Sequence, residues 1–502
     1  MATRRVTQDN RGKNTAGVDG VTSLTPPQRL LLSHQLTRHL KANPVRRVWI
    51  SKPGTEEQRP VGIPVRYDRA AQALAKVALE PEWEAKFEPN SDGFRPGRSG
   101  HDAIEAIHAS INQQDKYVLD ADIATCFDRI DHQALLAKLN TFPALRRTIH
   151  TWLKAGVMEG AQLFPTEAGA PQGGVLAPLL ANVALHGLET ALETAFPAYK
   201  DRQRWKPKVV RDADDFVVLH KDREVILQAQ ARASTWLQRM GLALKPSNTR
   251  IAQTRHPVEG VAGFDFLGFH IRPYPVGKYK TGTTGPGKPL GFKTHIKPSP
   301  EAQRTHLQQI KEDVRKLRAA PQAQLISRLN PLIWGWSHYY STVVAKATFS
   351  RMDTLVFAKL RRWAQRRHPK KSAWWVSEKY GHLREGHWTF KTEKGNTRRR
   401  HADTPIRSHT KVTGARSPYD GDWIYWATRM GRHPETSRRW AYLLKRQQGR
   451  CSWCGLYFKH GDDLVELDHI HPREHGGDGK ATNLQLLHGH CHASKTAQQH
   501  AS

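Results

Sequence analysis

Residues 117–131 read YVLDADIATCFDRID. The apolar run Tyr117–Leu119 has the character of a buried strand, and it delivers a carboxylate, Asp122, at its end, with Phe127 five positions later. Far along the chain, Asp214 and Asp215 stand between Val209–Val210 and Phe216–Leu219. Two β-like runs around such a pair predict a hairpin whose tip presents two carboxylates. Three carboxylates on adjacent strands suit two Mg²⁺ ions that activate an attacking 3′-hydroxyl and neutralise a leaving pyrophosphate. An Asp-Asp turn alone is usually a solvated turn, so the reading leans on the rest of the sequence.

That rest is polar and strongly basic. The 502 residues hold 78 Lys+Arg against 46 Asp+Glu, a formal charge of +32, with 38% hydrophobic residues. Such an excess costs self-repulsion unless a polyanion offsets it, so nucleic acid is the expected partner, and global disorder is not expected. No run of 18 apolar residues occurs and the N-terminus has no signal-peptide core, so no membrane partner and a cytoplasmic location are expected. Residues 1–270 alternate apolar runs with helical patterns, as in an α/β enzyme; the Gly/Pro/Lys-rich stretch 271–300 reads as a linker or surface loop. Helical periodicity resumes near Glu301, with Leu307, Ile310, Val314 and Leu317 on one face. Residues 361–416 hold 16 Lys+Arg and 4 Asp+Glu interleaved with tryptophans, which predicts a nucleic-acid surface.

Several blocks then resemble, in order, the reverse transcriptases encoded by group II introns: RVWISKPGTEEQRPVGIP (47–64), SDGFRPGRSGHDA (91–103), DADIATCFDRIDH (120–132), GAPQGGVLAPLLAN (169–182), the Ala-Asp-Asp hairpin, GLALKPSNTRI (241–251) and FLGF (266–269). The resemblance implies that Asp122, Asp214 and Asp215 are the Mg²⁺ ligands of a palm. It makes Lys52 and Arg59 the fingers residues that hold the triphosphate of an incoming dNTP. Phe127 becomes a steric gate against a ribose 2′-hydroxyl, and Gln172, with Gly173 and Gly174, a loop close to template and nucleotide. LNPLIWGWSHYYS (329–341) resembles the maturase signature. Trp334, Trp336, Tyr339 and Tyr340 are candidates to stack on RNA bases, although their helical spacing serves a bundle core equally well.

Two residues depart from the family pattern. Asp212 stands where a tyrosine is usual and Asn248 where a lysine is common. Both predict weaker polymerisation, and replacing Asp212 by tyrosine is expected to raise it. Little precedes NTAGVDGVT (14–22), so a shortened N-terminal RNA-binding extension is expected.

Three of the four cysteines fall in the last 52 residues, beside many histidines, which reads as a metal site and not as disulfides. Cys451-x-x-Cys454 and His488-x-x-Cys491 have the spacing by which two turns hold one tetrahedral Zn²⁺. His488 sits where related modules often carry a cysteine. VELDHIHPREHGG (465–477) and NLQLLHGHCHASK (483–495) resemble the HNH nuclease motif. The resemblance makes Asp468 and His492 ligands of a catalytic divalent ion, His469 the general base, and Asn483 the residue that holds the strand bearing it.

The expected fold is therefore multidomain, α/β and α: a right-hand fingers/palm reverse transcriptase (1–275), a linker or loop (276–300), an α-helical thumb/maturase domain (301–375), a basic DNA-binding region (376–436) and a small ββα-metal HNH module with a zinc site (437–502). The expected function is binding and splicing of group II intron RNA, HNH nicking of target DNA and cDNA synthesis from the nick. Two other readings remain open: a maturase whose polymerase is impaired through Asp212 and Asn248, and a stand-alone or defence-type reverse transcriptase.

Overall fold

The apolar run ahead of Asp122 forms the strand Tyr117–Asp122, an inner member of a four-stranded antiparallel sheet. Strand Arg250–Gln253 borders it on one side; on the other lie Asp215–His220 and then Lys208–Asp212. Phe216–Leu219 are all buried, so this strand is covered on both faces, which is why it reads as a continuous apolar run. Helices Gly100–Ile111 and Arg223–Gln238 pack on the sheet. These observations come from a computed structural model that describes residues 2–36, 41–51, 58–200, 203–258, 262–277, 279–284, 287–384, 387–433, 436–459 and 464–501.

The chain forms two compact units. The first comprises Met1–Lys76, Asn90–Gly93 and Gly100–Lys411; the second comprises Val77–Pro89, Phe94–Ser99 and Val412–Ser502. Within the first, a second sheet runs in the order 58–63, 45–51, 157–159, 162–164. A third, antiparallel, joins Phe264–Phe266, Phe269–Pro275 and Phe292–Pro298. Its last strand lies inside the stretch read as a linker. Alternation in FKTHIKP puts Phe292, Thr294, Ile296 and Pro298 on the buried face, a period-2 signal masked by the surrounding glycines and prolines.

The periodic segment becomes helices Pro300–Lys316, Gln322–Tyr339 and Lys346–Arg367, whose core includes Ile310, Leu325, Leu329, Ile333, Val356 and Leu360. Leu307, Val314 and Leu317 border it, as the spacing requires. The basic, tryptophan-rich tract is only partly surface. Trp363 is buried and donates its Nε1–H to the Leu317 carbonyl (3.0 Å). Phe390, in the hairpin Gly381–Arg384/His387–Phe390, is also core. Arg361, Arg362, Arg366, Lys370 and Lys371 are exposed.

One buried polar chain ties residues 398–402 to these helices. Asp353 accepts hydrogen bonds from Arg398 (3.2 Å), from the His401 ring (3.0 Å) and from the backbone N–H groups of His401 and Ala402 (3.1 and 3.0 Å). The other His401 ring nitrogen meets that of His306 (2.9 Å), and His306 stacks on Trp336 at 4.7 Å.

The second unit is larger than its Cys/His-rich end. It includes helices Trp423–Met430 and Arg438–Gln447, the antiparallel hairpin Val465–His469/Leu484–His488 and the helix Gly489–Ala501. Residues 77–89 and 94–99 complete it: Arg95 forms a buried ion pair with Glu84 (2.9 Å), and Arg429 donates to the Gly97 carbonyl (2.7 Å). Among the described residues no helix is long and apolar enough to cross a membrane.

Burial, and then the neighbouring His401, push the His306 imidazole down to about 3. The folded protein therefore holds this ring neutral, and its contribution to stability is complete above the unfolded value near 6.5 and lost as pH falls below it. The helical domain should lose about 2 kcal/mol between pH 6.5 and pH 5. His306→Gln should flatten that slope in thermal melts recorded across this range.

Candidate active sites

Asp122 and Asp215 face each other in register, and Asp215 pairs on its other side with Asp212. Ala213 and Asp214 form the two-residue turn, with Ala213 at φ 59°, a conformation costly for a residue with a Cβ. The Ile123 N–H donates to the Asp214 carbonyl (3.2 Å), folding the tip over the end of the neighbouring strand. Arg211, buried, braces the hairpin through Ser91 (2.6 Å), the Ala213 carbonyl (3.0 Å) and Asn182 (3.3 Å). Residues 90–92 run along the hairpin by backbone hydrogen bonds to Arg211, and Gly93 follows them against the turn. A Cβ at Gly93 would lie 2.3 Å from the Ala213 nitrogen, so only glycine fits.

Burial, then Asp214, Asp122 and other carboxylates, push Asp215 up to about 7; Asp214 is raised by burial and by Asp122. Like charges in a half-buried cluster need a cation, and the donor set, three carboxylates on adjacent strand ends, fits Mg²⁺. Arg59, exposed on the strand Gln58–Ile63, is near enough for its charge to oppose the rise at Asp214. Lys52 lies outside the described residues. Phe127, half-buried on the short helix Cys126–Arg129, lines an open cavity of about 320 Å³ with Arg47, Gly62, Ala170 and Gln172. The Gln172 carbonyl accepts from the Gly62 N–H (2.6 Å), and a Cβ at Gly173 would stand 2.7 Å from the Gly62 carbonyl.

The two departures have specific surroundings. Asn248 donates its side-chain amide to Asp122 Oδ2 (3.1 Å), and the Lys245 ammonium lies 3.8 Å from the same oxygen. The spacing in GLALKPSNTRI carries no signal for either contact. Asp212 Oδ1 lies 2.9 Å from where a Gly93 Cβ would be, and Oδ2 3.5 Å from that of Gly100, the first residue of helix Gly100–Ile111. The helix start favours an anion. Against that, burial and then Asp92 push Asp212 up to about 6.

In the second unit, one donor atom each from Cys451, Cys454, His488 and Cys491 lies within 4.8 Å of the others. Cys454 Sγ stands 3.3 Å from His488 Nδ1. Burial pushes the Cys491 thiol up to about 12, followed by its hydrogen bonds with Cys454 and Cys451. Cys451, despite burial, is drawn down to about 7 by the backbone N–H groups of Cys454, His488 and Trp453. Three thiols and an imidazole at this spacing fit a tetrahedral Zn²⁺.

The hairpin and final helix hold the second cluster. His492 Nε2 stands 3.6 Å from Asp468 Oδ1, and its Nδ1 is 2.5 Å from Glu466. His469 ends the strand, and its Nε2 accepts from Arg473 (3.2 Å). Asn483 clamps the following turn, accepting from the His471 N–H (2.8 Å) and donating to the His471 and Asp478 carbonyls (3.0 and 2.7 Å). Glu466, Gln485 and Lys495 also belong to this cluster. Their signal was present as spacing: Glu466 and Asp468 are two apart on a strand, His492 and Lys495 three apart on a helix.

Comparison with known families gives four matches along the chain. Residues 50–271 match the reverse transcriptase (RNA-dependent DNA polymerase) family, 1–36 the N-terminal domain of reverse transcriptase, 303–381 the group II intron maturase-specific domain and 451–498 the HNH endonuclease family. The chain is 33% identical over 267 residues to Protein YkfC of Escherichia coli, covering 45% of this chain and 68% of that protein. It is 40% identical over 149 residues to the group II intron-encoded protein LtrA of Lactococcus lactis, covering 29% of this chain and 25% of LtrA. A 91 kDa protein in the cob intron of Schizosaccharomyces pombe is 34% identical over 153 residues, 30% of this chain and 19% of that protein. The chain belongs to the group II intron-encoded proteins. It carries reverse transcriptase, maturase and HNH endonuclease domains together.

In the maturase-specific domain, one of the four aromatic candidates is core and a second, partly buried, packs against it. Tyr340 is 4% exposed, with its hydroxyl donating to the Gly268 carbonyl (3.1 Å), and Trp336 is wedged between His306 and Tyr340. Tyr339 donates to the Leu267 carbonyl (3.1 Å) and keeps part of its ring exposed. The pair thus buckles the FLGF turn to helix Gln322–Tyr339, which is why both rings were needed at that spacing. Trp334, 49% exposed, lies against His338 with ring centroids 4.2 Å apart.

Cys491→Ser should release zinc and lower the melting temperature of the second unit, measured by metal analysis and by hydrogen exchange over residues 451–498. Asp212 stands among half-buried carboxylates, with burial and then Asp92 pushing it up to about 6, so Asp212→Tyr, which removes that like charge, should raise primer extension, read in steady-state assays.

Proposed function

We propose that this group II intron-encoded protein binds its intron RNA and assists its splicing. By the same reading it nicks target DNA with its HNH module and copies the intron from the nick. The observation that carries the proposal is the convergence of Asp122, Asp214 and Asp215 on adjacent strand ends, in a chain that also holds the Asp468/His469/His492 cluster. In this reading residues 1–275 are fingers and palm, 301–375 the thumb and maturase domain, 376–436 a basic region contacting DNA, and 437–502 the nuclease. The strand Phe292–Pro298 joins the thumb side to the palm as packed structure.

Arg59 and Lys52 would hold the triphosphate, a task for cations that pair with several phosphate oxygens. Phe127 at the cavity wall would exclude a 2′-hydroxyl, and the loop at Gln172, pinned to the strand Gln58–Ile63, would set where template and nucleotide lie. Bound Mg²⁺ in the palm and a divalent ion at the nuclease would stabilise negative charge building on phosphate and oxygen nucleophile. His469 would remove the proton of water with the Nε2 lone pair, once Arg473, which donates to that nitrogen, releases it. Exposed Trp334 and Arg361, Arg362, Arg366, Lys370 and Lys371 supply stacking and phosphate contacts for RNA. The clustering of cysteines as metal ligands suits a reducing cytoplasm.

The reading of a maturase with a damaged polymerase is not favoured, because Asn248 holds Asp122 and the carboxylate cluster is intact. Asp214→Ala should lower primer extension on the order of a thousandfold while intron RNA binding persists. His469→Ala should lower second-strand nicking by a similar order, with splicing assistance and extension unchanged. Loss of RNA binding in either variant would contradict the assignment.

A further inference from the structure

The HNH cluster shows which atoms are committed and which are left to point at a cation. Asp468 Oδ2 accepts two hydrogen bonds, from Gln485 Nε2 (2.7 Å) and from the Lys495 ammonium (2.6 Å). Lys495 is 7% exposed and also donates to the His469 carbonyl (2.5 Å), so it cannot swing away without leaving a buried charge unpaired. That double anchor turns Oδ1 toward His492. On the helix side, Glu466 Oε2 lies 2.5 Å from His492 Nδ1, and a carboxylate accepts, so Nδ1 carries the proton and Nε2 keeps its lone pair. The atoms left over, Asp468 Oδ1 and His492 Nε2, face each other at 3.6 Å. This is too long for a hydrogen bond. Two donors sharing a cation at about 2.1 Å each stand roughly 3.0–3.5 Å apart at octahedral to tetrahedral angles.

We infer that Glu466 and Lys495 are positioning residues of the nuclease metal site: Glu466 fixes the tautomer and ring plane of His492, and Lys495, with Gln485, fixes the carboxylate plane of Asp468. Neither residue touches the cation or the scissile phosphate. The same lysine holds the carbonyl of His469, so one side chain sets both the metal ligand and the backbone that carries the base. The inference rests on the HNH reading proposed above, and the test separates the two.

Mn²⁺ binding to the zinc-loaded full chain, in an Asp214→Ala background that removes the palm site, is followed by the electron paramagnetic resonance of free Mn²⁺. Asp468→Ala should abolish the remaining site; if it does not, the nuclease reading itself falls. Glu466→Ala should weaken Mn²⁺ binding ten- to a hundredfold, as loss of an outer partner of a ligating histidine does. Glu466→Gln, which keeps an acceptor oxygen, should recover most of the affinity, and Lys495→Met should weaken binding by a similar factor. Nicking by the Glu466→Ala chain should return at saturating Mn²⁺. Zinc content reports whether each variant keeps its fold. Should Glu466→Ala lose zinc, ¹⁵N-histidine spectra of the metal-free parent and of Glu466→Gln still decide, by whether Nδ1 of His492 bears the proton. Unchanged affinity in Glu466→Ala, equal losses in the Ala and Gln variants, or a proton on Nε2 would each overturn the inference while leaving the metal site standing.

Discussion

Carboxylates on adjacent strand ends repel each other, and the first unit is arranged around holding them together. Their register is backbone hydrogen bonding, Asp122 opposite Asp215 and Asp215 opposite Asp212, so none can retreat without breaking the sheet. The cost appears in the raised Asp214, and in Asp215 pushed up to about 7 by burial and its neighbours. What offsets it is braced backbone. Arg211 spans Ser91, Asn182 and the turn carbonyl of Ala213, and Gly93 admits a contact that no side chain would tolerate. A site held this rigidly against its own repulsion is preorganised for cations and pays little rearrangement when they bind.

The helical domain extends this constraint beyond the sheet. Tyr339 and Tyr340 fasten the turn at Leu267–Gly268, where Leu267 adopts a positive φ of 49°, to the end of a long helix. That helix also carries Trp336, which is stacked on His306 and so linked through His401 to Asp353 and Arg398. Aromatic residues that look like a nucleotide-stacking surface are thereby mostly spent on joining two layers of the protein. Trp334 keeps half its surface in solvent because it lies on the side of the helix away from those contacts.

Strands dominated by one chemical signal were legible in the sequence. The apolar run before Asp122 and the paired runs around Asp214 and Asp215 have no competing reading once buried on both faces. The Cys-x-x-Cys and His-x-x-Cys spacings were equally direct, because two turns at that spacing bring their four donor atoms within 4.8 Å. The strand Phe292–Pro298 escaped because glycines and prolines before it mask a short alternation. The inclusion of 77–89 and 94–99 in the second unit escaped for another reason: Glu84–Arg95 and Arg429–Gly97 are contacts, and periodicity carries no information about partners remote in sequence. The surroundings of Asp212 were not legible either, since only the folded chain places Gly93 and Gly100 beside it.

The two carboxylate-bearing clusters arrive at one solution from unrelated scaffolds. In the four-stranded sheet, Asp122 Oδ2 takes the amide of Asn248 with the Lys245 ammonium 3.8 Å away. In the ββα module, Asp468 Oδ2 takes the amide of Gln485 and the ammonium of Lys495. Each aspartate thus has one oxygen that accepts from a side-chain amide, with a lysine ammonium close to that same oxygen. A carboxylate free to rotate presents either oxygen and loses orientational entropy when a cation arrives. Tying one oxygen removes that freedom in advance, and the nearby ammonium offsets part of the negative charge between turnovers. Asn248 thus holds the Asp122 carboxylate by a hydrogen bond. A lysine at that position would supply charge but no planar amide, and this chain already places Lys245 beside the same oxygen.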